Sequence, residues 1–431
     1  MYHICFQEWD RLKPVPTFRN HTIPLEINKP GWKRHFLLNS YSMTCIFMFC
    51  VTIYNIYRAE MNISSRQKAV KRASSIVVKV GTRLLTDSSR IATLVSQIAK
   101  LREKKYNVLL VSSGAVGLGM KTLGKTVRPK KLSEVQALAA VGQSKLMSLY
   151  EAECRKFGFH AAQLLLTAGD IQDRERHLNV LNCIYSLWNE NILPIINEND
   201  SVSVDELKFG DNDMLASLIA TMTRSELTVL LTMVDGLHSV KDGKLDKRIS
   251  VIANLSDEIK KMATGTDNSA LSVGGMASKL RAAETVTRAG EYLWIADGKD
   301  PEVLVKIISA ADVGTLFMPV TEKQMDSKKR WLTFFSKVSG KIIVDDGAAK
   351  ALSQKGRSLL PSGITGTEGG FKRGDSITIC DKSGTNIAKG LSNYSDKEIE
   401  KIKGRKSAEI SSILGYDGDE EIVHRNNMVL C

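Results

Sequence analysis

The sequence lacks the cysteine patterns of disulfide-rich proteins and of structural zinc sites. Its seven cysteines are scattered along 431 residues without a C-x-x-C pair. Neither a disulfide framework nor a zinc centre is indicated, and a reducing cytoplasm is the expected location. Collagen-like, coiled-coil and low-complexity patterns are also absent. The composition, 43% hydrophobic and 25% charged, predicts an ordinary globular chain of two or three domains.

One long stretch lacks charged side chains. Residues 35–57 contain no Asp, Glu, Lys or Arg, and their length would suffice to cross a bilayer. Two Asn, two Ser and two Thr interrupt this run, and no signal-peptide cleavage site follows it. A membrane anchor and an appended leader, with Met43 or Met61 as the working start, are the alternatives for the N-terminal extension, residues 1–72.

Acidic residues are scarce in the same extension. Residues 1–72 hold eleven Lys and Arg against four Asp and Glu, which is more than half of the formal net charge of +13. The rest of the chain is only mildly basic. That excess suits an anionic substrate, although an ordinary solubilising charge is the commoner explanation. The net charge therefore does not indicate nucleic-acid binding by itself.

The segment GLGMKTLGKT contains a P-loop pattern, G-x-x-x-x-G-K-[ST], from Gly119 to Thr126. A working P-loop follows a buried strand directly and opens a helix at its lysine, because the free amides of that helix end hold phosphate. Here the strand-like run YNVLLV stops at Val111, and Pro129 follows too soon for a helix to begin at Thr126. We therefore do not interpret this segment as a P-loop.

From residue 73 onward, short apolar runs alternate with longer amphipathic segments. The runs predicted to be buried strands are 75–80, 107–111, 161–165, 192–196 and 227–231. Segments of helical length, such as 91–105 and 133–157, separate them. This alternation predicts an α/β fold, a three-layer αβα sandwich with a mainly parallel central sheet, over residues 73–322. Ligands of such folds bind at the carboxyl ends of the strands.

The pattern changes after residue 322. Residues 323–338, which include the run Lys-Lys-Arg-Trp, are predicted to be a linker. Residues 339–417 contain short β-branched runs divided by Gly, Pro and Asp turns, which predicts a small β-rich barrel-like domain. Residues 418–431 are predicted to be a C-terminal tail.

Two of the predicted strands end in groups suited to an anion. Lys79 lies inside the first strand, where burial is unfavourable unless an anion faces the ammonium group. The alternative is an edge lysine whose tip reaches solvent. The second strand runs through Ser113 and Gly114 into a helix, so that free amides and small side chains meet at a helix N-terminus.

Amides, carboxylates and glycines follow the later strands. Residues 197–200 and 210–213 each fit ordinary helix capping, but together they suit an ammonium group, a magnesium ion or the positioning of a lysine. Gly274 and Gly275 precede a predicted helix that carries Lys279, which lets backbone approach a phosphate closely. Two lysines, glycine turns and carboxylates are the parts that phosphoryl transfer requires.

Eight motifs occur in an order that closely resembles the glutamate 5-kinases of the amino-acid kinase family. They are VVKVGTRLLT, VSSGAVGLG, QALAAVGQ, LLLTAGDIQDRERHLN, PIINENDSVS, FGDNDMLA, GGMASKL and VGTLFMP. The resemblance covers about residues 74–319, and residues 340–416 resemble the PUA domain that many bacterial members append. It implies an enzyme that phosphorylates the side-chain carboxylate of L-glutamate with ATP and Mg²⁺, the first step of proline biosynthesis.

The resemblance also implies roles for individual residues. Lys79 and Lys279 would stabilise charge on the transferring phosphoryl group, and Asp213 would hold both lysines in place. Ser113, Asp200 and Asn212 match glutamate-binding positions. The positions that match the nucleotide site are Thr232, Met233, Gly274, Gly275, Met276 and Lys279. No residue is assigned as a metal ligand.

Two positions depart from the family pattern. Arg83 stands where the family often has Ser or Thr, and Met233 stands where it often has Asp, so we expect altered nucleotide contacts rather than lost activity. The resemblance further implies feedback inhibition by proline and a homodimer or homotetramer. It also implies a separate γ-glutamyl phosphate reductase that consumes the unstable product.

Two other functions compete with this prediction. The first is a kinase of the same fold acting on N-acetylglutamate, aspartate or a nucleotide; the NENDSVS and GDNDM motifs and the PUA-like domain argue against it. The second is RNA binding, since PUA-like domains occur in RNA-binding proteins. Phe371, Lys372 and Arg373 would suit RNA, but four nearby aspartates dilute the charge, which favours a structural role for this domain. The diluting aspartates are Asp345, Asp346, Asp375 and Asp381.

Overall fold

The chain divides into two compact units, Met1–Asn62 and Ile63–Cys431. The computed structural model describes residues 23–29, 32–38, 60–85, 88–202, 211–241, 244–264, 275–321 and 325–431. In the first unit, strands β1 (Ile23–Lys29) and β2 (Trp32–Leu38) form an antiparallel hairpin. Most of the uncharged run 35–57 lies outside the described residues. Within the described ranges, no helix has the length and apolarity needed to cross a bilayer.

The second unit is built on an eight-stranded sheet and a two-stranded hairpin. Their strands are β3 (Ser75–Val80), β4 (Asn107–Ser112), β5 (His160–Leu166), β6 (Ile192–Glu198), β7 (Leu227–Thr232), β8 (His238–Lys241), β9 (Lys244–Arg248), β10 (Val251–Ile252), β11 (Tyr292–Asp297) and β12 (Thr315–Phe317). The sheet has the order β10-β12-β11-β7-β3-β4-β6-β5, and β8 pairs with β9 separately. Neighbouring strands of the sheet run parallel, except that β11 and β12 are antiparallel.

Helices cover both faces of this sheet. The described helices up to residue 334 are α1 (60–72), α2 (Ser88–Glu103), α3 (Ala115–Thr122), α4 (Leu132–Arg155), α5 (Ala168–Gln172), α6 (Arg174–Asn189), α7 (Asn212–Thr223), α8 (Asp257–Thr264), α9 (Met276–Arg288), α10 (Val303–Ile308) and α11 (Ser327–Phe334). Alternate residues of β3 enter two different hydrophobic clusters, because successive side chains of a strand point to opposite faces. Ile76 and Val78 pack with α2 and α4, whereas Val77 packs with α7 and α9. The predicted αβα sandwich with a mainly parallel sheet is confirmed.

The P-loop-like segment forms a helix that packs closely against its neighbour. Gly119 lies inside α3, and a Cβ atom built on it would come within 2.0 Å of the Leu138 carbonyl oxygen of α4. A Cβ on Gly142 of α4 would lie 1.7 Å from the carbonyl oxygen of Ala115. Glycine is therefore required here for the approach of two helix backbones rather than for binding phosphate.

Replacing Gly142 with alanine is expected to destabilise the fold by about 1–3 kcal/mol or more, because α3 and α4 must separate to admit the methyl group. The measurement is the midpoint of thermal unfolding. Gly370→Ala is the control, since the space around Gly370 is open and its backbone is not left-handed. Equal midpoints for the two variants would contradict the close helix packing.

A second, smaller sheet follows α11. Its strands are β13 (Val338–Val344), β14 (Ile364–Glu368), β15 (Ser376–Cys380), β16 (Asn386–Leu391) and β17 (Met428–Leu430), and its order is β14-β13-β15-β16-β17. Three short helices accompany it, namely α12 (Asp346–Lys355), α13 (Asp396–Ile402) and α14 (Ile410–Leu414). A small β-rich domain was expected here. The residues expected to form a separate tail, 418–431, instead contribute the edge strand β17, which pairs with β16.

The stretch predicted to be a linker contains a helix with a buried face. Trp331 and Leu332 of α11 are 9% and 0% exposed and join the hydrophobic cluster that includes α7 and α9. On the other side, α11 contacts β16 and β17 of the small sheet. The Lys389 ammonium also donates a hydrogen bond to the Ser336 carbonyl oxygen at 2.5 Å. This segment therefore packs against both domains rather than spanning between them as exposed chain.

Candidate active site

The candidate residues gather at the carboxyl ends of four neighbouring strands. Lys79 lies near the end of β3, Ser113 directly follows β4, Asp200 lies two residues beyond β6, and Thr232 ends β7. In the sheet order, β3 lies between β7 and β4, and β6 follows β4. The strand ends therefore bring these four residues to one edge of the sheet, as a parallel fold requires.

Two lysines share one buried carboxylate at this edge. The Lys79 ammonium lies 2.6 Å from Asp213 Oδ1, and the Lys279 ammonium lies 3.0 Å from Asp213 Oδ2. All three residues are buried, with Asp213 only 1% exposed. Burial by itself would raise the pKa of Asp213, but the two ammonium groups outweigh it and hold that pKa below its ordinary value. The carboxylate is therefore ionised at neutral pH and fixes both cations side by side.

Each member of this cluster comes from a different element. Lys79 is on a central strand, Asp213 is in the first turn of α7, and Lys279 is in the first turn of α9. Gly81 leaves the space beside the Lys79 ammonium open, since a Cβ there would lie 3.6 Å from it. The positive ends of two helix dipoles and two ammonium groups converge on one place, which favours a polyanion.

Asp211 fixes the starts of the two helices relative to each other. Its Oδ1 caps α7 by accepting hydrogen bonds from the amides of Asp213 and Met214, both at 2.9 Å. Its Oδ2 accepts a hydrogen bond from the hydroxyl of Ser278, which precedes Lys279 in α9. Sequence reasoning placed Asp211 in the polar cluster 210–213, which fits helix capping and, together with 197–200, suits an ammonium group, a magnesium ion or the positioning of a lysine. The link to Ser278 was missed, and no signal in the sequence joins these two positions.

The predicted substrate residues Ser113 and Asn212 are in direct contact. The side-chain nitrogen of Asn212, Nδ2, donates to Ser113 Oγ at 2.6 Å, to the Ser112 carbonyl oxygen at 3.2 Å and to Asn197 Oδ1 at 3.1 Å. Asn212 neighbours Asp213 in sequence, so this polar group lies beside the two lysines. Asp200 is partly buried in the turn after β6. Asn197 was noted only as part of a cluster, and the structure shows that it orients Asn212.

The predicted nucleotide residues are only partly described. Thr232 ends β7, its carbonyl oxygen accepts a hydrogen bond from the Gly298 amide at 2.8 Å, and Met233 beyond it is 39% exposed. Gly275 is the N-cap of α9, and Met276 is its first residue. Gly274 lies outside the described residues. Met233 is solvent-accessible in the turn that follows β7.

Arg83 and the proposed RNA-binding side chains lie in different surroundings. Arg83 is exposed in a short 3₁₀ turn directly after β3. Phe371 is 1% exposed and belongs to the core of the small domain, so its ring cannot stack on a base. Arg373 is ion-paired with Asp419 at 2.9 Å, and Lys372 is exposed. The small domain therefore offers fewer groups for RNA than the sequence indicated.

Comparisons with known proteins agree with this architecture. Residues 74–297 match the amino acid kinase family, and residues 340–414 match the PUA domain. The glutamate 5-kinase of Trichlorobacter lovleyi is 42% identical over 376 residues, which cover 85% of this chain and 99% of that protein. The glutamate 5-kinase of Caldanaerobacter subterraneus subsp. tengcongensis is 44% identical over 364 residues, which cover 82% of this chain and 97% of that protein.

One more relative and a solved structure are also similar to this chain. The glutamate 5-kinase of Synechococcus elongatus is 42% identical over 368 residues, covering 83% of this chain and 100% of that protein. A carbamate kinase from Giardia lamblia bound to AMP-PNP superposes with a TM-score of 0.42 at 19% identity, covering 57% of this chain and 99% of that chain.

Proposed function

Because the chain belongs to the amino acid kinase family, we propose that it transfers the γ-phosphoryl group of ATP to the side-chain carboxylate of L-glutamate. The product is γ-glutamyl phosphate, which makes the reaction the first step of proline biosynthesis. The observation that carries the proposal is the pair of ammonium groups held by Asp213 at the carboxyl edge of the sheet. The position of this lysine pair beside Ser113 and Asn212 suits an acidic acceptor.

The reaction needs positioning and charge stabilisation more than covalent help from the protein. A side-chain oxygen of glutamate bonds to the γ-phosphorus, the bond from that phosphorus to the β–γ bridging oxygen breaks, and ADP leaves. Negative charge spreads over the equatorial phosphoryl oxygens during the transfer. Lys79 and Lys279 offset that charge, and Asp213 keeps them in place when the site is empty.

Magnesium accompanies ATP in this proposal. Both carboxylate oxygens of Asp213 are engaged by lysines, and the described ranges contain no group of three His, Cys, Asp or Glu suited to a metal. The ion is therefore expected to be held mainly by the phosphate oxygens of the nucleotide, as Mg²⁺ often is. When bound, it neutralises charge on the β- and γ-phosphates.

Glutamate and nucleotide occupy opposite sides of the lysine pair in this scheme. Ser113, Asn212 and Asp200 would bind glutamate, with the Asp200 carboxylate facing its ammonium group. Thr232, Met233, Gly274, Gly275 and Met276 would bind ATP. The exposed Met233 and Arg83 would replace the usual polar contacts of the family with weaker or different ones.

Hydroxylamine trapping tests the reaction directly. An acyl phosphate reacts with hydroxylamine to give a hydroxamate, so the purified chain with MgATP and L-glutamate should form γ-glutamyl hydroxamate. N-acetylglutamate and aspartate serve as competing acceptors. Nucleoside monophosphates are compared by a coupled assay of ADP release, because their products do not form hydroxamates. A higher specificity constant for any of these acceptors than for glutamate would contradict the proposal.

Replacing Asp200 with alanine is expected to raise the Michaelis constant for glutamate at least tenfold and to change that for ATP by less than twofold. The reason is that a charge-assisted hydrogen bond is worth roughly 1.5–3 kcal/mol. Initial-rate kinetics with each substrate varied in turn provide the measurement. Glu103→Ala, an exposed carboxylate on α2, is the control. An unchanged glutamate constant would remove Asp200 from the substrate site.

Assembly, regulation and location complete the proposal. Strand β5 is an edge of the main sheet and its residues 161–165 are only partly buried, which supports a homodimer or homotetramer formed through this edge. Proline is proposed to inhibit the enzyme as the end product. A separate reductase would consume the labile acyl phosphate, and the scattered cysteines favour the cytoplasm.

A further inference from the structure

One buried arginine joins the far ends of the two helices that carry Asp213 and Lys279. Arg330 of α11 is 2% exposed. Its Nη1 donates to the Thr221 carbonyl oxygen, in the last turn of α7, at 3.0 Å. Its Nη2 donates to the carbonyl oxygen of Ala289, the C-cap of α9, at 3.1 Å. The same guanidinium forms an ion pair with Glu291, just before β11.

Charged groups thus connect α7 and α9 at both ends. Their N-terminal turns meet in the Asp213–Lys279 ion pair, and their C-terminal turns meet at Arg330. With twelve and thirteen residues they have nearly the same length, and Leu215, Ile219 and Leu280 lie in the same hydrophobic cluster between them. A shift of one helix along the other would disturb both ends.

We propose that Arg330 is a positioning residue, which fixes α7 and α9 along their axes and thereby holds Asp213 and Lys279 at ion-pair distance. The inference rests on the proposed phosphoryl transfer and adds a residue far from the reacting atoms. A planar guanidinium with its donors in a fixed fork can bind two carbonyl oxygens and a carboxylate at once, and its charge is favourable at helix C-termini. A misplacement of about 1 Å at a reacting site can lower a rate roughly a hundredfold.

The location of Arg330 also connects the small domain to the site. Helix α11 contacts β16 and β17, and the Ser336 hydroxyl that follows it lies 3.0 Å from the Ser376 hydroxyl of β15. The carbonyl oxygens at the ends of α7 and α9 are thus held by a helix that the small domain itself packs against. The small domain therefore supports the positions of these helix ends through α11.

The variant for the test removes both members of the buried ion pair between Arg330 and Glu291. Burial raises the pKa of Glu291 and Arg330 opposes that rise, so removing Arg330 alone would change the protonation of a buried carboxyl group. Arg330→Met combined with Glu291→Gln avoids this complication. Arg330→Lys is the second variant, because one ammonium keeps the charge but reaches the two helix ends less well. Arg288→Met, an exposed arginine in the last turn of α9, is the control.

The double variant is expected to lower kcat at least tenfold per folded molecule, with both Michaelis constants changed less than threefold. Arg330→Lys should have a kcat between those of the double variant and the unsubstituted chain. The kcat of Arg288→Met should match that of the unsubstituted chain. If the double variant does not fold, Arg330→Lys is expected to show the same selective loss of kcat to a smaller degree. Unchanged kcat in the folded fraction, with only a lower unfolding temperature, would reduce Arg330 to a stabilising residue and overturn the inference.

A crystal structure of the double variant separates this inference from the proposed function. The distance between Lys279 Nζ and Asp213 Oδ2, 3.0 Å in the unsubstituted chain, is expected to exceed about 4 Å. A retained ion pair would overturn the inference whichever acid the enzyme phosphorylates. Absence of glutamate-dependent turnover in the unsubstituted chain would instead contradict the proposed function, while the crystallographic distance still decides the role of Arg330.

Discussion

Replacing Lys279 with methionine is expected to lower kcat more than a hundredfold while the chain stays folded. The ammonium group lies 3.0 Å from the Asp213 carboxylate in a site from which solvent is largely excluded. One oriented donor removed from a developing charge typically lowers a rate 10²- to 10³-fold, roughly 2.7–4 kcal/mol. Methionine keeps the length and apolar stem of the side chain, so packing in the first turn of α9 changes little.

Kinetics at saturating ATP and glutamate measure this effect, with hydroxamate formation as the readout. Arg281→Met is the matched control, because Arg281 is an exposed cation on the same helix. Its kcat should stay within twofold of the unsubstituted chain. Turnover of Lys279→Met at a similar level would exclude Lys279 from charge stabilisation and leave Lys79 as the principal cation.

The general layout of the site could be predicted because parallel sheets place ligands at one edge. Lys79, Ser113 and Thr232 lie at the ends of predicted strands, and the strands observed agree with those predicted to within two residues at each end. The eight motifs predicted the amino acid kinase family, and family membership is confirmed. The resemblance implied that Asp213 holds both lysines, and the two ion pairs agree with that expectation. The pattern of strands and helices alone could not show this contact, since it depends on how α7 and α9 pack.

The segment around Arg330 shows why the buried face of the predicted linker was not recognised. Three consecutive cations, Lys328, Lys329 and Arg330, are typical of exposed chain, and arginine is rarely buried unless it is paired. Its partners are Glu291 and two carbonyl oxygens at helix ends, which are distant in sequence. A buried arginine that satisfies backbone groups leaves no local pattern that predicts it.

Other elements were missed because their signals are weak or non-local. The hairpin of β8 and β9 is short and largely polar, and β17 has three residues and is held by its pairing with β16. The strand β11 is apolar enough to be recognised but was not predicted. Phe371, which beside two cations would have suited RNA, belongs to the core of the small domain, in line with the structural role that was favoured for this domain. Neighbouring charges do not show which way an aromatic ring points.

Replacing Asp213 with asparagine is expected to lower kcat at least a hundredfold and also to destabilise the fold. The amide cannot balance two cations, so two buried ammonium groups would face each other without a counter-charge. Breaking a buried ion pair from one side typically destabilises a protein by about 3–5 kcal/mol. Asp257→Asn, an exposed carboxylate on α8 whose side chain is 89% exposed, is the control and should leave both quantities unchanged.

The pH dependence of this stability difference has a definite sign. Lys79 and Lys279 depress the pKa of Asp213 in the folded state, so the carboxylate contributes stability above the pKa of an unfolded aspartate, about 3.9. That contribution is lost as the pH falls through the lower, folded-state pKa. The unfolding temperatures of the unsubstituted chain and of Asp213→Asn should therefore differ most near neutrality and converge on acidification. A constant difference across this range would contradict an ionised Asp213.

Combining Asp213→Asn with Lys279→Met tests whether the cluster acts as one unit. Groups that act together give losses that do not add, because removing one already disables the other. The double variant is expected to be little slower than the worse single variant, and more stable than Asp213→Asn alone because one unpaired cation is gone. If the two rate losses multiply fully, Asp213 and Lys279 contribute independently. That result would contradict a cluster in which the two residues act together through their ion pair.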